Sequence, residues 1–277
     1  MNKLQEMVQK YGVLVAAHRG MSCGNIPCNT IPAFEVALRG GARILEMDIF
    51  RSLDGKLYVF HTGKEPVQLG VKCDVTKLTS EEIDKMSLLN CDGVPTKHTI
   101  NPFADVLQYL QGKDVILNLD RASDILPEVL SCVRKYGMIE QVLLKTPPKM
   151  EYLKVVEAQA PDIMYMPIYR YEDTMTEQIE KMDINFVGSE LVFKNESDAV
   201  AQPEYITAMK DKGLILWGNG IVYSEAVPLA AYHSDDVSVY ENPDDGWGWL
   251  AAYGFHIIQS DWAPLCFQYL QKKGYSR

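Results

Sequence analysis

The sequence predicts an α/β fold: a closed (β/α)8 barrel with an insertion after its second strand. Three observations carry this. Short β-branched or apolar runs alternate with helix-patterned segments along the chain, the order that builds a parallel sheet with helices outside it. Nine such runs are present, and one reads as a hairpin return, which leaves eight. A length of 277 residues suits a barrel of about 250 with loops added.

The first element is a short amphipathic helix ahead of the first strand, because Leu4, Met7, Val8 and Tyr11 fall at helical spacing. The strand-like runs are Val13–Ala17, Arg43–Phe50, Leu57–His61, Val115–Asp120, Val142–Lys145, Ile163–Pro167, Asn185–Ser189, Leu214–Gly218 and His256–Ser260. Helical patterning covers Ile31–Arg39, Phe103–Leu110, Ile125–Tyr136, Met150–Gln159, Asp173–Met182, Glu204–Lys212 and Ala263–Lys272. Asp54-Gly55 stands between the second and third runs. Such a pair signals a hairpin, which makes Leu57–His61 an antiparallel return.

Two segments are too long for plain connections. Residues 62–99 hold a helical piece at Ser80–Ser87, capped by Thr79 or Ser80, and Ser224–Gly248 is rich in Asp, Tyr and Pro. Both are expected at the C-terminal face of the barrel, where long loops shape sites. Residues 1–277 are therefore expected to form a single domain, with 62–99 as an inserted segment.

Composition narrows the function. With 47% hydrophobic and 23% charged residues, the chain can bury enough apolar surface to fold. Its 27 basic and 37 acidic residues give a net charge of −10, which argues against nucleic-acid or anionic-membrane partners. A small phosphate ligand held through a cation remains compatible. No stretch approaches the roughly 20 apolar residues of a membrane span. Lys3, Glu6 and Lys10 interrupt the N-terminus, so no signal peptide is read. Six cysteines without a CxxC pair read as free thiols in a reducing compartment, and a cytoplasmic location is expected. Oligomeric state is not legible.

The chemistry sits at strand ends. His18-Arg19-Gly20 ends the first strand, Glu46 and Asp48 lie late in the second, His61 ends the return, and Asp120 ends the third barrel strand. Residues two apart in a strand share a face, so Glu46 and Asp48 either crowd the barrel interior or are solvated. Crowded carboxylates resist joint ionisation unless a cation neutralises them. A hard divalent ion with oxygen ligands, Asp120 included, solves this. His18 and His61 then suit general acid and base roles near neutral pH. Arg19 suits a phosphate or a local carboxylate. Asn29-Thr30 reads as a capping pair before Ile31–Arg39, with Asn29 also available to a ligand. His98, His233 and His256 read as structural or solvated. Tyr223, Tyr232, Tyr240, Trp247 and Trp249 form either an aromatic wall or ordinary packing.

His18-Arg19-Gly20, Asn29-Thr30-Ile31-Pro32-Ala33-Phe34, Gly41-Ala42, Glu46-Met47-Asp48, Asp54-Gly55 and Val59-Phe60-His61 together resemble the glycerophosphodiester phosphodiesterase family. Weaker echoes run through Val94-Pro95-Thr96, Leu117-Asn118-Leu119-Asp120, Leu216-Trp217-Gly218-Asn219 and Ile257 to Pro264. The resemblance implies a TIM barrel with its insertion after the second strand. It implies metal-dependent hydrolysis of small glycerophosphodiesters to glycerol 3-phosphate and an alcohol. Glu46, Asp48 and Asp120 would hold Ca²⁺ or Mg²⁺, His18 and His61 would be the acid–base pair, Arg19 would hold phosphate, and Asn29 and Trp217, the latter near the mouth, would bind substrate. The chain departs from the family at Cys28, which replaces a glutamate, at Thr62, which replaces an aspartate, and at Ala122, which replaces a phosphate-contacting lysine. Lys145, at the end of the next barrel strand, is expected either to supply a replacement charge or to be a helix-capping or solvated lysine. Two rival readings stay open: a barrel that binds phospho-ligands without turnover, and a glycosidase using Glu46 and Asp48 as a carboxylate pair.

Overall fold

The computed structural model describes residues 2–224 and 226–277. Eight parallel strands close into a barrel: β1 (Leu14–Ala17), β2 (Ile44–Arg51), β3 (Ile116–Asp120), β4 (Val142–Thr146), β5 (Met164–Arg170), β6 (Gly188–Val192), β7 (Ile215–Asn219) and β8 (Ile257–Ser260). Each pairs with its neighbour in sequence, and β1 pairs with both β2 and β8, which closes the ring. The protein is thus a TIM barrel.

The alternation of side chains along each strand makes two cores. Leu45, Met47 and Ile49 of β2 face outward and pack with Phe34 and Ala37 of the helix Ile31–Arg39 and with Val106 of Phe103–Leu110. Inward residues Leu14, Ile44, Ile116, Leu143, Met164, Ile215 and Ile257 fill the lower barrel. The helix Lys3–Tyr11 stoppers that end, placing Leu4 and Met7 in the inner core. Asn2 and Gln5 form a reciprocal capping box at its start, which fixes where the helix begins.

The hairpin reading of Asp54-Gly55 holds. Leu57–Val59 runs antiparallel to β2, with Ile49 opposite Val59, and Gly55 takes the left-handed conformation at φ 91°. The segment after this return carries a small core of its own. Phe50, Tyr58 and Phe60 pack with Leu69, Val75, Ile83 and Leu88, and Ser87–Leu89 pairs with Pro95–Thr99.

Some expectations are corrected. The helix expected over Asp173–Met182 is one turn, Thr176–Ile179, because Asp173 caps it late by accepting from Met175 and Thr176 amides. The helical piece at Ser80–Ser87 is only Ser80–Ile83, though Thr79 and Glu82 form its capping box. In keeping with its length, Ser224–Gly248 contains a π-helical turn at Val237–Glu241 and the start of a helix at Trp247–Tyr253. The sixth strand lies later than Asn185–Ser189, at Gly188–Val192. None of the described helices is long and apolar enough to cross a membrane.

The N-terminal stopper is testable. Leu4 is fully buried, so Leu4→Ala is expected to lower the unfolding free energy by about 2–4 kcal/mol in urea denaturation. Loss of under about 0.5 kcal/mol would show that the helix does not contribute to the inner core.

Candidate active site

A cleft of about 1010 Å³ opens at the C-terminal ends of the strands, lined by His18, Glu46, Asp120, Arg121, Lys145, Glu190 and Tyr223 among others. Strand register builds its floor. Glu46 and Asp48 share the inner face of β2, and parallel pairing sets Asp48 beside Asp120. One oxygen from each of Glu46, Asp48 and Asp120 lies within 4.8 Å of the others.

Each carboxylate is held by one protein donor. The Arg19 amide donates to Glu46 Oε2 at 2.8 Å, Asn29 Nδ2 to Asp48 Oδ2 at 2.8 Å, and the Arg121 amide to Asp120 Oδ1 at 2.8 Å. The second oxygen of each has no hydrogen-bond partner among the described residues. Three oriented carboxylates, each with a spare oxygen, fit a hard divalent cation. Burial, together with the negative charge of Asp48, pushes the Glu46 carboxyl up to about 8, the behaviour of crowded acids that await a positive charge.

The loop after β1 delivers these donors through strained backbone. Arg19 is left-handed at φ 57° and Gly20 follows at φ 77°. A Cβ at Gly20 would meet the Ala33 carbonyl carbon at 2.8 Å, so only glycine fits there. The turn aims the Arg19 amide at Glu46 and leaves Arg19 Nε 3.0 Å from Asp48 Oδ2. Arg19 thus begins as the carboxylate partner that its charge allowed, with 15% of its side chain exposed to the cleft. Asn29 is not a helix cap. Thr30 alone caps Ile31–Arg39, accepting from the Ala33 amide. Asn29 clamps Asp48 from both sides, its Oδ1 accepting from the Asp48 amide at 3.2 Å.

The two histidines meet different partners. His18 Nδ1 lies 2.7 Å from Asp261 Oδ1. Burial works to lower the His18 pKa, but the Asp261 hydrogen bond and the Glu46 charge outweigh it and raise it overall. His61 Nδ1 lies 2.9 Å from the Thr62 carbonyl, which only a ring N–H can satisfy. His61 Nε2 therefore accepts from Arg121 Nη1 at 3.3 Å. Burial, with Arg19 and Arg121 nearby, lowers the His61 pKa against the pull of Asp48.

Lys145 reaches the cleft, but its ammonium lies 2.7 Å from Glu190 Oε2 and 3.6 Å from the centroid of the Trp217 ring. Asn219 Nδ2 donates to the other Glu190 oxygen at 2.8 Å. Trp217 is fully buried, and its Nε1 donates to Gln259 Oε1 at 3.2 Å. Tyr223 is the member of the expected aromatic wall that lines this cleft, edge-on to His18. Trp247 is instead buried against Asp235, and Trp249 stacks on His233. Cys28 is spent on Gln68, and Ala122 is buried without a charge to offer. His256 accepts from the Leu216 amide, a structural role.

Three site residues escape a motif reading. Asp261 orients His18 and is itself set by buried Asp235, which accepts its amide at 2.7 Å. Glu190 holds Lys145, and Arg121 holds His61. Asp261 directly follows β8 and Glu190 lies midway along β6, and no sequence motif marks either.

The chain is similar to several known proteins. The family model DUF4996, a domain of unknown function, matches residues 165–270. A glycerophosphodiester phosphodiesterase of Caldanaerobacter subterraneus subsp. tengcongensis is 28% identical over 146 residues, 48% of this chain and 57% of that protein. The chain spans little more than half the length of the curated relatives it matches first, at 57%. A crystal structure of a glycerophosphoryl diester phosphodiesterase from Parabacteroides distasonis superposes with a TM-score of 0.79 at 16% identity, covering 99% of this chain and 93% of that one. An Oleispira antarctica phosphodiesterase in complex with the product sn-glycerol-3-phosphate superposes at 0.65 and 17% identity, over 94% and 97% of the two chains. At these identities the structural likeness establishes the barrel fold.

A divalent cation that binds the three carboxylates is expected to stabilise the fold by about 2.7 kcal/mol at 100 times its dissociation constant. Thermal melts with Ca²⁺, Mg²⁺ or EDTA check this. Glu46→Gln should abolish the shift, and an equal shift in that variant would place the ion elsewhere.

Proposed function

We propose that this chain, which resembles glycerophosphodiester phosphodiesterases in sequence and in fold, hydrolyses small glycerophosphodiesters to glycerol 3-phosphate and an alcohol. The observation that carries the reading is the meeting of two differently partnered histidines with three donor-held carboxylates at one barrel mouth.

Glu46, Asp48 and Asp120 would hold Ca²⁺ or Mg²⁺. Such an ion supplies positive charge that polarises the phosphoryl oxygens. The chain's own residues do the rest. Arg19 and Lys145 face the developing negative charge on phosphorus-bound oxygen. Asp261 favours the protonated form of His18 by accepting from Nδ1, so His18 is the general acid. His61 keeps its proton on Nδ1 and offers Nε2 as the base. A glycerol hydroxyl next to the phosphate gives its proton to His61 Nε2 and attacks phosphorus. The bond from phosphorus to the outer alcohol breaks, and His18 protonates the departing oxygen. Water then opens the cyclic phosphate, with the histidines exchanging roles. Trp217 acts from beneath, as the surface on which Lys145 rests. The barrel's floor of apolar residues excludes water below the reacting centre.

The glycosidase reading finds no support in this geometry. Glu46 and Asp48 neighbour each other on one face of one strand, whereas a glycosidase sets its two carboxyl groups on either side of the scissile bond.

The test assays several glycerophosphodiesters with Ca²⁺, Mg²⁺, Mn²⁺ or EDTA, reading released sn-glycerol 3-phosphate. Activity should require a divalent ion. His18→Ala should lower kcat by about 10²- to 10⁴-fold with the fold intact by circular dichroism. Wild-type rates in His18→Ala or in EDTA would overturn the mechanism. Tight binding of these diesters with no product released would favour a binding protein instead.

A further inference from the structure

Arg121 is a basic side chain of this cleft that the proposed chemistry does not yet use. It directly follows Asp120 and adopts left-handed backbone at φ 56°, a conformation that disfavours any side chain larger than glycine. The turn lets the Arg121 amide hold Asp120 Oδ1 and sends the guanidinium across the mouth to the loop after the hairpin return. There Nη1 donates to His61 Nε2 at 3.3 Å and Nη2 donates to Thr62 Oγ1 at 3.2 Å. Both contacts are long, and both acceptors are neutral.

A guanidinium has five N–H donors in a planar fork suited to phosphate oxygens. No carboxylate pairs with Arg121 among the described residues, whereas Arg19 is matched to Asp48 and Lys145 to Glu190. Arg121 is exposed and lines the same cleft as His18, Glu46 and Asp120. A guanidinium bond to an anionic phosphoryl oxygen adds Coulomb attraction that a bond to a neutral imidazole nitrogen lacks. A phosphoryl oxygen arriving beside Asp120 therefore outcompetes an imidazole nitrogen for this donor.

We propose that Arg121 is a phosphate-binding residue of this site, parked on His61 and Thr62 until an anionic phosphate ester draws it away. The same movement uncovers His61 Nε2, so binding of the anion prepares the base. Thr62 acts as a positioning residue, holding the fork within reach. The inference rests on the proposed function, in which the site takes a phosphate ester, and it adds the group that seizes that ester.

The test uses the full chain in saturating Mg²⁺, with calorimetric titration of sn-glycerol 3-phosphate. Arg121→Gly suits the backbone conformation, so it is expected to melt no lower than wild type. Its affinity for sn-glycerol 3-phosphate should fall by about 10- to 100-fold, with KM for the diester rising in step and affinity for Mn²⁺ no weaker. Arg121→Lys should recover part of the loss, and Thr62→Val should weaken binding by about 2- to 10-fold. Unchanged affinity in Arg121→Gly, or no binding of sn-glycerol 3-phosphate to the wild type, would overturn the proposal. Arg121-dependent binding without diester hydrolysis by the wild type would sink the enzymatic reading and leave this one standing.

Discussion

Carboxylates set within 4.8 Å of one another repel, and the mouth of this barrel is arranged around that repulsion. Parallel register puts Asp48 beside Asp120 and sets Glu46 on the same face of β2. The surrounding chain then contributes N–H donors rather than further acids: the Arg19 and Arg121 amides and the Asn29 side chain. Two of these depend on residues forced into left-handed backbone, Arg19 and Arg121, and Asn29 is left-handed too. Strain concentrated in three donor residues is the cost of holding like charges together. It is maintained because the closed sheet around it cannot relax one strand without disturbing its neighbours.

Much of this was legible in the sequence, and the reasons are specific. Glu46 and Asp48 are separated by Met47, and strand parity alone put both on one face. Leu45, Met47 and Ile49 announced the opposite face by their apolarity, and they do lie in the outer core. Asp54-Gly55 foretold the return strand because turn chemistry is local. The helices Ile31–Arg39, Phe103–Leu110, Met150–Gln159 and Ala263–Lys272 were readable to the residue, since amphipathic spacing and flanking Gly or Pro act within a few positions.

The illegible parts depend on contacts distant in sequence. Glu190 was lost because the sixth strand was read three residues early, ending at Ser189, in a stretch where Asn185, Phe186 and Val187 look as strand-like as Glu190, Leu191 and Val192. Asp261 is one acid among many until Asp235 is seen to fix its backbone from 26 residues away. Asp235 itself is buried, and burial pushes its carboxyl up to about 6 despite hydrogen bonds from Trp247 and Ser260. Asn29 looked like a cap because Asn-Thr before an apolar run is a capping signal. Its true partner, Asp48, lies 19 residues on, in the strand that pairs with β1.

The stopper formed by Leu4 and Met7 has a consequence for traffic. A barrel corked at one end is a vessel rather than a channel, so everything that reaches the inner carboxylates arrives and departs through a single opening. A bound molecule with an inner and an outer part must then surrender the outer part first. The piece held deepest cannot leave until the way above it is clear.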